Sequence, residues 1–566
     1  MTTEGPSRTL TRVYVLVLIA FAVAVSVWRI QAFTDIDLRA DQASTMVWLQ
    51  NIQAAERLLP RPLPDAGWLK ALEADEQSLL NVVLKPIYTG NQQLFLSVTI
   101  GLFWAATLFT GAGFAAQVAL TILAAGGIIV AVGLFPLALS ILPRRQALAT
   151  GAVAAGLTAA CSFLNLFAAF SVHNVAVATM VGALAVIACW IGMGGGRRGL
   201  VWVVVASLIA IYSNHANVLY VPTTAVIALL LATEHALAER IRRALRYSAW
   251  ILIGLVPAIL LMLVTKLRGI GFYNKQDFTE LWVQIFQDSQ GAYLDRLPGR
   301  FMEWFEAVDR VYSGAGLLLA LFGLVYLARC HGVRVPLVLV VLHFLLAMTL
   351  PMTTQYDRTI AYLLPMLALG GGAAFAGAFA GLKPIEGRLP GKAVVLATLA
   401  GVVVIAHATR DVPRLVHPDR AYFWGASLKS RGQQRAIVAE IENLLPTGAR
   451  LVPLNTAIGQ QFQAQATRPK GEVLIFKPLD LMTRRATAGA LDGYIRDRRL
   501  VLPKDAPAYV LVHDQEPIAS VMGQVESALC RSALARCSGA RLDEVKRWPA
   551  TWFMLGGPVL YRLADD

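Results

Sequence analysis

The sequence predicts a polytopic α-helical membrane protein of about eleven spans, followed by a C-terminal α/β domain outside the membrane. The 566 residues are 56% hydrophobic and only 15% charged, with a mean hydropathy of +0.57. A soluble protein carries roughly a quarter charged residues. Apolar segments follow one another as far as residue 408, and the chain beyond that point has the mixed pattern of a water-exposed domain.

The first apolar segment is Val13 to Trp28, which Arg8 and Arg12 precede. It could pass for a signal peptide, but so many later spans favour an uncleaved signal anchor. The other predicted spans are 115–142, 147–170, 175–195, 199–213, 217–234, 247–266, 314–329, 335–351, 359–381 and 393–408. Leu94 to Thr110 is also apolar and could either cross the bilayer or lie along its surface.

The distribution of Lys and Arg orients the chain. If Leu94–Thr110 does not cross, all the basic turns lie on the side of the N-terminus. The opposite turns carry no Lys or Arg; they are Ser171–Asn174, Asn214–Asn217 and Pro351–Asp357. The basic turns are Arg144-Arg145, Arg197-Arg198, Arg240 to Arg246, Arg329 to Arg334 and Lys383 to Lys392. Because basic residues accumulate in cytoplasmic loops, we expect a cytoplasmic N-terminus and a surface-bound Leu94–Thr110.

This topology divides the chain into a membrane domain, 1–408, and an extracytoplasmic tail domain, 409–566. Two large outer loops, 29–114 and 267–312, belong to the membrane domain. In the tail we expect a helix at Gln433–Leu445, short strands at Leu451–Pro453, Val473–Phe476 and Tyr509–Val512, and a hairpin over Thr551–Leu563 around Gly556-Gly557.

Cysteine usage agrees with this orientation. Cys530 and Cys537 lie in the polar tail and could form a disulfide, which requires an oxidising compartment. Cys161, Cys189 and Cys330 lie in or beside apolar segments, where a cysteine is typically an inert small hydrophobe.

The net charge of +14 does not indicate a nucleic-acid partner. The excess of Lys and Arg lies in short loops between apolar segments, as membrane topology requires. Basic residues do not alternate with aromatic residues in the way that a nucleic-acid groove needs.

The first outer loop carries the carboxylates Asp35, Asp37 and Asp41 close to the membrane surface. A carboxylate at this depth is costly unless it is solvated, paired or used. It could act as a general base on an acceptor hydroxyl or bind a divalent cation. Alternatively, the loop is merely solvated and Asp41 caps an amphipathic helix over Gln42–Leu59.

Several cations and polar residues share the predicted outer face. Lys266 and Arg268 stand at the outer end of a span and Arg358 at an otherwise uncharged turn, all against the usual charge bias. Lys85 stands before a rigid proline and could neutralise a phosphate, or could simply extend its charge toward water. The other candidates for substrate binding are Gln42, Tyr88, His173, Asn174, His215, Tyr273 and Tyr356. A lone histidine in such a turn is more often a hydrogen-bonded turn residue, and no spacing of His or Cys indicates zinc.

Taken together, this layout resembles the GT-C superfamily of integral membrane glycosyltransferases. It is similar above all to the protein O-mannosyltransferases and to the aminoarabinose transferases that modify lipid A. Asp41-Gln42 stands where the family has an Asp-Glu pair, Lys85-Pro86 at its Lys-Pro, and His173-Asn174 at the turn after the third span. The likeness covers about residues 10–380, and the late Arg358 before Tyr362-Leu-Leu-Pro365 completes it.

The resemblance implies a bacterial inner-membrane enzyme that uses a sugar on a polyprenyl phosphate and an acceptor hydroxyl on a glycan, lipid or protein. Asp41 would be the general base, with Asp37 and Asp35 as alternatives. Lys85, Lys266, Arg268 and Arg358 would bind the donor phosphate. Gln42 replaces the family's second acid, so a metal held by both acids is doubtful unless Asp35 or Asp37 substitutes.

Two other classes of function are alternatives. A transporter or flippase of a lipid-linked saccharide would need polar residues lining a path through the spans, which are nearly free of charge here. A non-catalytic membrane scaffold would use its outer domain for binding. The clustering of polar residues at one face favours an enzyme.

Overall fold

The computed structural model describes the chain in ranges separated by gaps. They are 5–33, 47, 50, 54–62, 71, 75, 77–82, 114–140, 142–161, 182, 184–185, 187, 196–213, 221, 226–227, 229–231, 236–267, 289–349, 360–380, 391–410, 422–423, 426–427, 431–454, 456–468, 474–475, 507–514, 517–523, 540–549 and 557–565.

The chain forms two compact units. The membrane unit comprises Met1–Ala32 and Leu84–Val416, and the tail unit comprises Phe33–Val83 and His417–Asp566. Part of the first outer loop, which we assigned to the membrane domain, thus groups with the tail. One contact within the tail unit accounts for this in part, because Gln50 Nε2 donates to the carbonyl of Ala464 at 3.4 Å.

The helices of the membrane unit lie mostly within predicted apolar segments, except Ser289–Tyr312, which falls in the predicted outer loop 267–312. They are α1 Gly5–Phe33, α2 Phe114–Leu139, α3 Arg144–Ala160, α4 Gly196–Ser213, α5 Leu237–Leu267, α6 Ser289–Tyr312, α7 Gly314–Cys330, α8 Val335–Thr349, α9 Leu364–Ala380 after a short 3-10 turn at Ala361–Leu363, and α10 Gly391–Arg410.

Two stretches of the described helices are long and apolar enough to cross a bilayer, Thr9–Gln31 in α1 and Thr121–Leu139 in α2. Leu297–Asp309 and Gly314–Cys330 count as a third only if this bent pair is one span. Four further apolar helices of the described residues are shorter, namely Val201–Ile211, Val335–Leu345, Leu364–Phe379 and Val394–Arg410, so the predicted number of spans is not confirmed.

The first three helices pack side by side through small residues. Tyr14 near the start of α1 donates to the carbonyl of Gly133 near the end of α2, at 2.9 Å. Toward the end of α1, Ser26 lies beside Gly126, where a Cβ would come within 2.5 Å of the serine Oγ. The two helices are therefore antiparallel, and the chain leaves α1 and enters α2 at the same end of the bundle. The prediction that Leu94–Thr110 lies along the membrane surface concerns residues outside the described ranges.

Glycines bring α9 into backbone contact with its neighbours. A Cβ at Gly323 of α7 would overlap the carbonyl oxygen of Gly370, and a Cβ at Gly372 would overlap that of Thr150 in α3. Close packing through small residues is the usual way in which membrane helices gain van der Waals contact. It fixes α3, α7 and α9 against one another.

Helix α6 is amphipathic and meets α7 at a bend of 93°. Trp304, Ala307 and Val308 are buried, whereas Phe301 and Phe305 stay exposed. A helix that turns through a right angle from an apolar helix and exposes aromatic side chains has the character of an interfacial helix.

The tail unit contains a five-stranded mixed sheet in the order β4-β3-β5-β7-β6. The strands are β3 Arg450–Pro453, β4 Leu474–Ile475, β5 Ala508–His513, β6 Ala540–Arg547 and β7 Pro558–Asp565; β1 Tyr422–Phe423 and β2 Ala426–Ser427 pair separately. β3 is parallel to β4 and β5, and β7 is antiparallel to β5 and β6.

Alternate side chains of this sheet face two cores. Leu451, Tyr509, Leu511 and Leu560 pack with residues of the helices α11 Arg431–Leu444 and α12 Thr456–Gln465. A second core on the opposite face contains Val452, Val510, Val512, Val559 and Tyr561. The predicted helix and the strands β3, β4 and β5 are thus present at nearly the expected bounds.

Two local predictions were wrong. The terminal hairpin pairs β7 with 540–547, so its first strand lies upstream of Thr551, and Gly557 instead approaches the backbone of Trp548. The helix expected to reach Leu59 ends earlier, because Arg57 forms a parallel bridge with Ser78 and cannot remain helical. Both predictions failed because the segments concerned pair with residues that are not adjacent to them in sequence.

Substituting Gly151 should test the close packing of the membrane helices. A Cβ there would overlap the carbonyl oxygen of Gly133, whereas a Cβ at Gly156, in the same helix α3, would have no neighbouring atom within 4 Å. Both Gly→Ala changes gain helix propensity, so G151A should be less stable than G156A by about 1–3 kcal/mol from overpacking. Apparent Tm values of the two purified variants would measure this, and equal values would contradict the packing.

The pH dependence of the Glu440→Gln variant should report the contact between α11 and β6. Glu440 pairs with Lys546 and accepts from Trp548 Nε1 at 2.6 Å, and these contacts hold the pKa of its carboxyl below the ordinary 4.5. The carboxylate therefore stabilises the fold above pH 4.5, and this contribution disappears as the pH falls through the lowered pKa. The apparent Tm of E440Q should lie below that of the wild type at neutral pH and converge with it in acid.

A Lys546→Met background provides the control for that measurement. Because Lys546 is the largest cause of the lowered pKa, E440Q should change the apparent Tm much less in this background. A difference between wild type and E440Q that does not vary with pH would refute the interpretation.

Candidate functional site

The predicted site residues lie almost entirely outside the described residues. These are Asp35, Asp37, Asp41, Gln42, Lys85, Tyr88, His173, Asn174, His215, Arg268, Tyr273, Tyr356 and Arg358, together with Cys530 and Cys537. Lys266 belongs to the last turn of α5, where the structure describes the backbone alone. The roles of all these residues stay predictions.

Described residues next to them meet at one end of the membrane unit, which we call the exit end. There α1, α3, α6, α8 and α10 finish and α7 and α9 begin. Arg29 of α1 donates to the carbonyl of Ala159 in the last turn of α3, and Cys161 Sγ donates to the carbonyl of Val311 in α6 at 2.9 Å. Predicted outer loops leave the bundle from these helix ends.

The corner between α6 and α7 is built on Ser313. Its backbone has φ +72° and ψ 142°, a combination that non-glycine residues rarely adopt and that costs about 1–3 kcal/mol. The Ser313 hydroxyl accepts from Gly316 N at 3.0 Å, which caps α7, and lies 2.8 Å from His407 Nδ1 of α10. The side-chain contacts thus hold a strained backbone in place.

Asp309 and Tyr312 tie the same corner to two other helices. Asp309 Oδ1 accepts from Gly314 N at 2.7 Å, and Oδ2 lies 3.2 Å from Arg410 at the end of α10. The Tyr312 hydroxyl donates to the carbonyl of Leu367 in α9 at 3.1 Å. The second outer loop and the exit of the last membrane helix therefore share one polar junction.

A further pair of contacts joins α6 to the end of α8. Trp304 Nε1 donates to His343 Nδ1 at 3.3 Å, and Arg300 Nη1 donates to the carbonyl of Met348 at 2.8 Å. Phe344 packs edge-on against the Trp304 ring, with centroids 5.1 Å apart. The interfacial helix is thus held to the bundle by specific polar contacts as well as by burial.

Arg29 is the described ionisable side chain nearest in sequence to the three acids. Its side chain is only 2% exposed, and among the described residues its Nε has no hydrogen-bond partner. An arginine at the centre of a membrane helix costs about 2.5–3.5 kcal/mol on insertion scales, and less toward an end. Its contact with the carbonyl-bearing end of α3 is favourable because a helix C-terminus carries partial negative charge.

The described residues contain no group of three or more His, Cys, Asp or Glu that could hold a metal ion. Since Asp35, Asp37 and Asp41 lie outside them, this finding does not bear on the acidic loop. Cys161 is a buried free thiol, as predicted for an apolar segment, and Cys330 is free but exposed.

No role was predicted from the sequence for Arg29, Ser313 or His407. A signal for Arg29 was present, because a cation at the outer end of a span runs against the charge bias, the same criterion that selected Lys266 and Arg268. Nothing local marks Ser313 or His407, whose contact joins residues 94 apart in sequence.

Comparison with solved structures identifies the fold. The chain matches the crystal structure of ArnT from Cupriavidus metallidurans bound to undecaprenyl phosphate, with a TM-score of 0.54 and 12% identity, over 99% of this chain and 98% of that one. The apo structure of the same protein matches with a TM-score of 0.51 and 12% identity, over 97% and 98%. No protein-family model and no curated protein matches the sequence.

The likeness extends over nearly the whole of both chains. The fold resemblance expected from the sequence is therefore confirmed, as that of an ArnT-like membrane protein. It also extends beyond the 10–380 region on which the sequence resemblance rested, to include the tail.

Two substitutions of Ser313 should separate backbone strain from side-chain contact. Ser313→Ala and Ser313→Gly both remove the cap and the contact with His407, at a cost of about 1 kcal/mol. Only glycine relieves the strain, so S313G should be more stable than S313A by about 1–3 kcal/mol. Apparent Tm values of the two variants measure this; equal stability would show that the backbone at residue 313 is not strained.

Proposed function

We propose that this chain is a glycosyltransferase of the bacterial inner membrane. It transfers a sugar from a polyprenyl-phosphate donor to an acceptor hydroxyl on the extracytoplasmic face. The observation that carries the proposal is the full-length fold likeness to ArnT, whose structure was solved with undecaprenyl phosphate. At 12% identity this likeness gives the fold only, so the chemistry rests on the residues of this chain.

Asp41 is the proposed general base. Its carboxylate takes the proton of the acceptor hydroxyl, whose oxygen then forms a bond to the anomeric carbon of the sugar. The bond from that carbon to the donor phosphate oxygen breaks, and the lipid phosphate leaves with the electron pair. Attack opposite to the leaving group inverts the configuration at the anomeric carbon. Asp37 and Asp35 are the reserve candidates for the base.

The departing lipid phosphate gains negative charge as the reaction proceeds. Lys85, Lys266, Arg268 and Arg358 are the proposed partners of this charge, and preorganised cations are most effective where charge develops in the transition state. Tyr88, His173, Asn174, His215, Tyr273 and Tyr356 are proposed to bind sugar or acceptor. Gln42 favours a mechanism with a single base and no bridging metal.

Charge bias supports a cytoplasmic N-terminus and an extracytoplasmic tail. In that orientation the tail lies on the same side of the membrane as the acidic loop, where it could bind the acceptor or cover the site. Cys530 and Cys537 would then be in an oxidising compartment and could form the predicted disulfide.

The placement of buried ionisable groups favours an enzyme over a flippase. Among the residues of the membrane helices whose side chains the structure describes, Arg29, His343 and His407 are the buried His, Lys, Arg, Asp or Glu. Each lies within two turns of a helix end at the exit end. A transport path would instead place such groups along the depth of the bundle.

The variant Asp41→Asn should abolish transfer while the protein remains folded. Without a general base the rate should fall by about 100-fold or more. The assay incubates purified protein with a panel of polyprenyl-phosphate sugars and follows release of the lipid phosphate.

Asp543→Asn is the matched control, because Asp543 is an exposed residue on β6 that pairs with Arg541. It should retain wild-type activity. Full activity of D41N would remove Asp41 from the mechanism, and failure of the wild type to release phosphate from any donor would argue against the function itself.

A further inference from the structure

Arg29 has a position that the proposed chemistry does not use. It lies in the last turns of α1, six residues before Asp35 and twelve before Asp41. From Phe33 onward the chain groups with the tail unit, so Arg29 is among the last residues of the membrane unit before the acidic loop.

The side chain does not behave as a membrane-edge arginine usually does. Such a residue normally extends its guanidinium to water along an apolar stem. Arg29 is 2% exposed and directs a terminal nitrogen at the carbonyl of Ala159. Because the Arg29 guanidinium is buried and not hydrated, its position matters to the protein. Charged side chains inside a membrane protein are found mainly where they have a functional role.

The partner of Arg29 links it to other elements of the exit end. Ala159 belongs to the last turn of α3, and Cys161, two residues later, donates to Val311 of α6. α1 leads into the loop of Asp41, α3 leads toward His173-Asn174, and α6 follows the loop of Lys266 and Arg268. These contacts thus join the ends of α1 and α3, which lead into two of the loops that carry candidate residues, to the C-terminal end of α6.

We propose that Arg29 is a positioning residue that fixes the exit of α1 against α3 and so sets the location of the acidic loop. This inference rests on the proposed function. It predicts that loss of the guanidinium lowers kcat through misplacement of the base, with little effect on the KM for the lipid donor. A misplacement of the order of 1 Å can reduce a rate by about 100-fold.

The test compares Arg29→Gln and Arg29→Lys with the matched control Arg144→Gln. Arg144 also joins α3 to α1, because its Nε donates to Thr11 Oγ1 at 2.9 Å, but this contact lies at the opposite end of the two helices from the exit end. R29Q should reduce kcat by about 10- to 100-fold, and R29K should restore most of it because an ammonium can also donate to the carbonyl. R144Q should retain a kcat near that of the wild type.

Amide hydrogen exchange supplies a readout that does not depend on activity. In R29Q, exchange over residues 34–46 should be faster than in the wild type, and R144Q should leave it unchanged. If the wild type lacks transferase activity, the proposed function fails while this measurement still tests the anchoring. Unchanged exchange over 34–46 in R29Q overturns the proposal, and so does faster exchange with an unchanged kcat.

A second variant covers the case in which R29Q does not fold. One alanine inserted after Ala32 keeps the Arg29 contact but shifts the acids relative to it. The insertion should lower kcat by about 10-fold or more, and a matched insertion after Gly448, in an exposed turn of the tail, should not. An insertion after Ala32 that retains full activity overturns the proposal.

Discussion

Polar groups inside an apolar bundle have no water to bind, and the exit end of this protein is organised by that constraint. Carbonyls in the final turns of membrane helices lack partners within their own helix. Arg29, Arg300 and Arg410 donate to carbonyls of Ala159, Met348 and Asp309, each in the last turn or so of α3, α8 or α6. Arginine suits this task because its several donors reach outward from a long stem while its charge complements the helix dipole.

The same constraint explains why strain is tolerated at Ser313. A right-angle corner between an interfacial helix and a membrane helix leaves backbone groups without regular partners. The hydroxyl of Ser313 and the carboxylate of Asp309 satisfy the first amides of α7, at Gly316 and Gly314. The unfavourable backbone conformation at Ser313 is tolerated because leaving the amides of Gly314 and the buried Gly316 without partners would cost more.

The lengths of the apolar segments and the periodicity of their hydrophobic residues allowed much of the fold to be predicted. The expected span 314–329 is α7, Gly314–Cys330, and the expected strand Tyr509–Val512 is β5, Ala508–His513. The sequence could not reveal that Arg57 would pair with Ser78 or that β7 would pair with 540–547, because such pairing depends on distant residues. Candidate site residues were recognisable from residue type and resemblance. Contacts such as that of Arg29 with Ala159, 130 residues apart, depend on helix packing that no local pattern encodes.

The glycines of α9 have a consequence for where a lipid can bind. Gly370 and Gly372 bring α9 into backbone contact with α7 on one flank and α3 on the other. Where two helix backbones are in contact, no groove remains between the helices. An isoprenoid chain therefore has no room to insert at the interface of α9 with α7 or of α9 with α3. The hydrocarbon tail of the proposed lipid donor would therefore run along other flanks of the bundle, because α3, α7 and α9 are closed against one another.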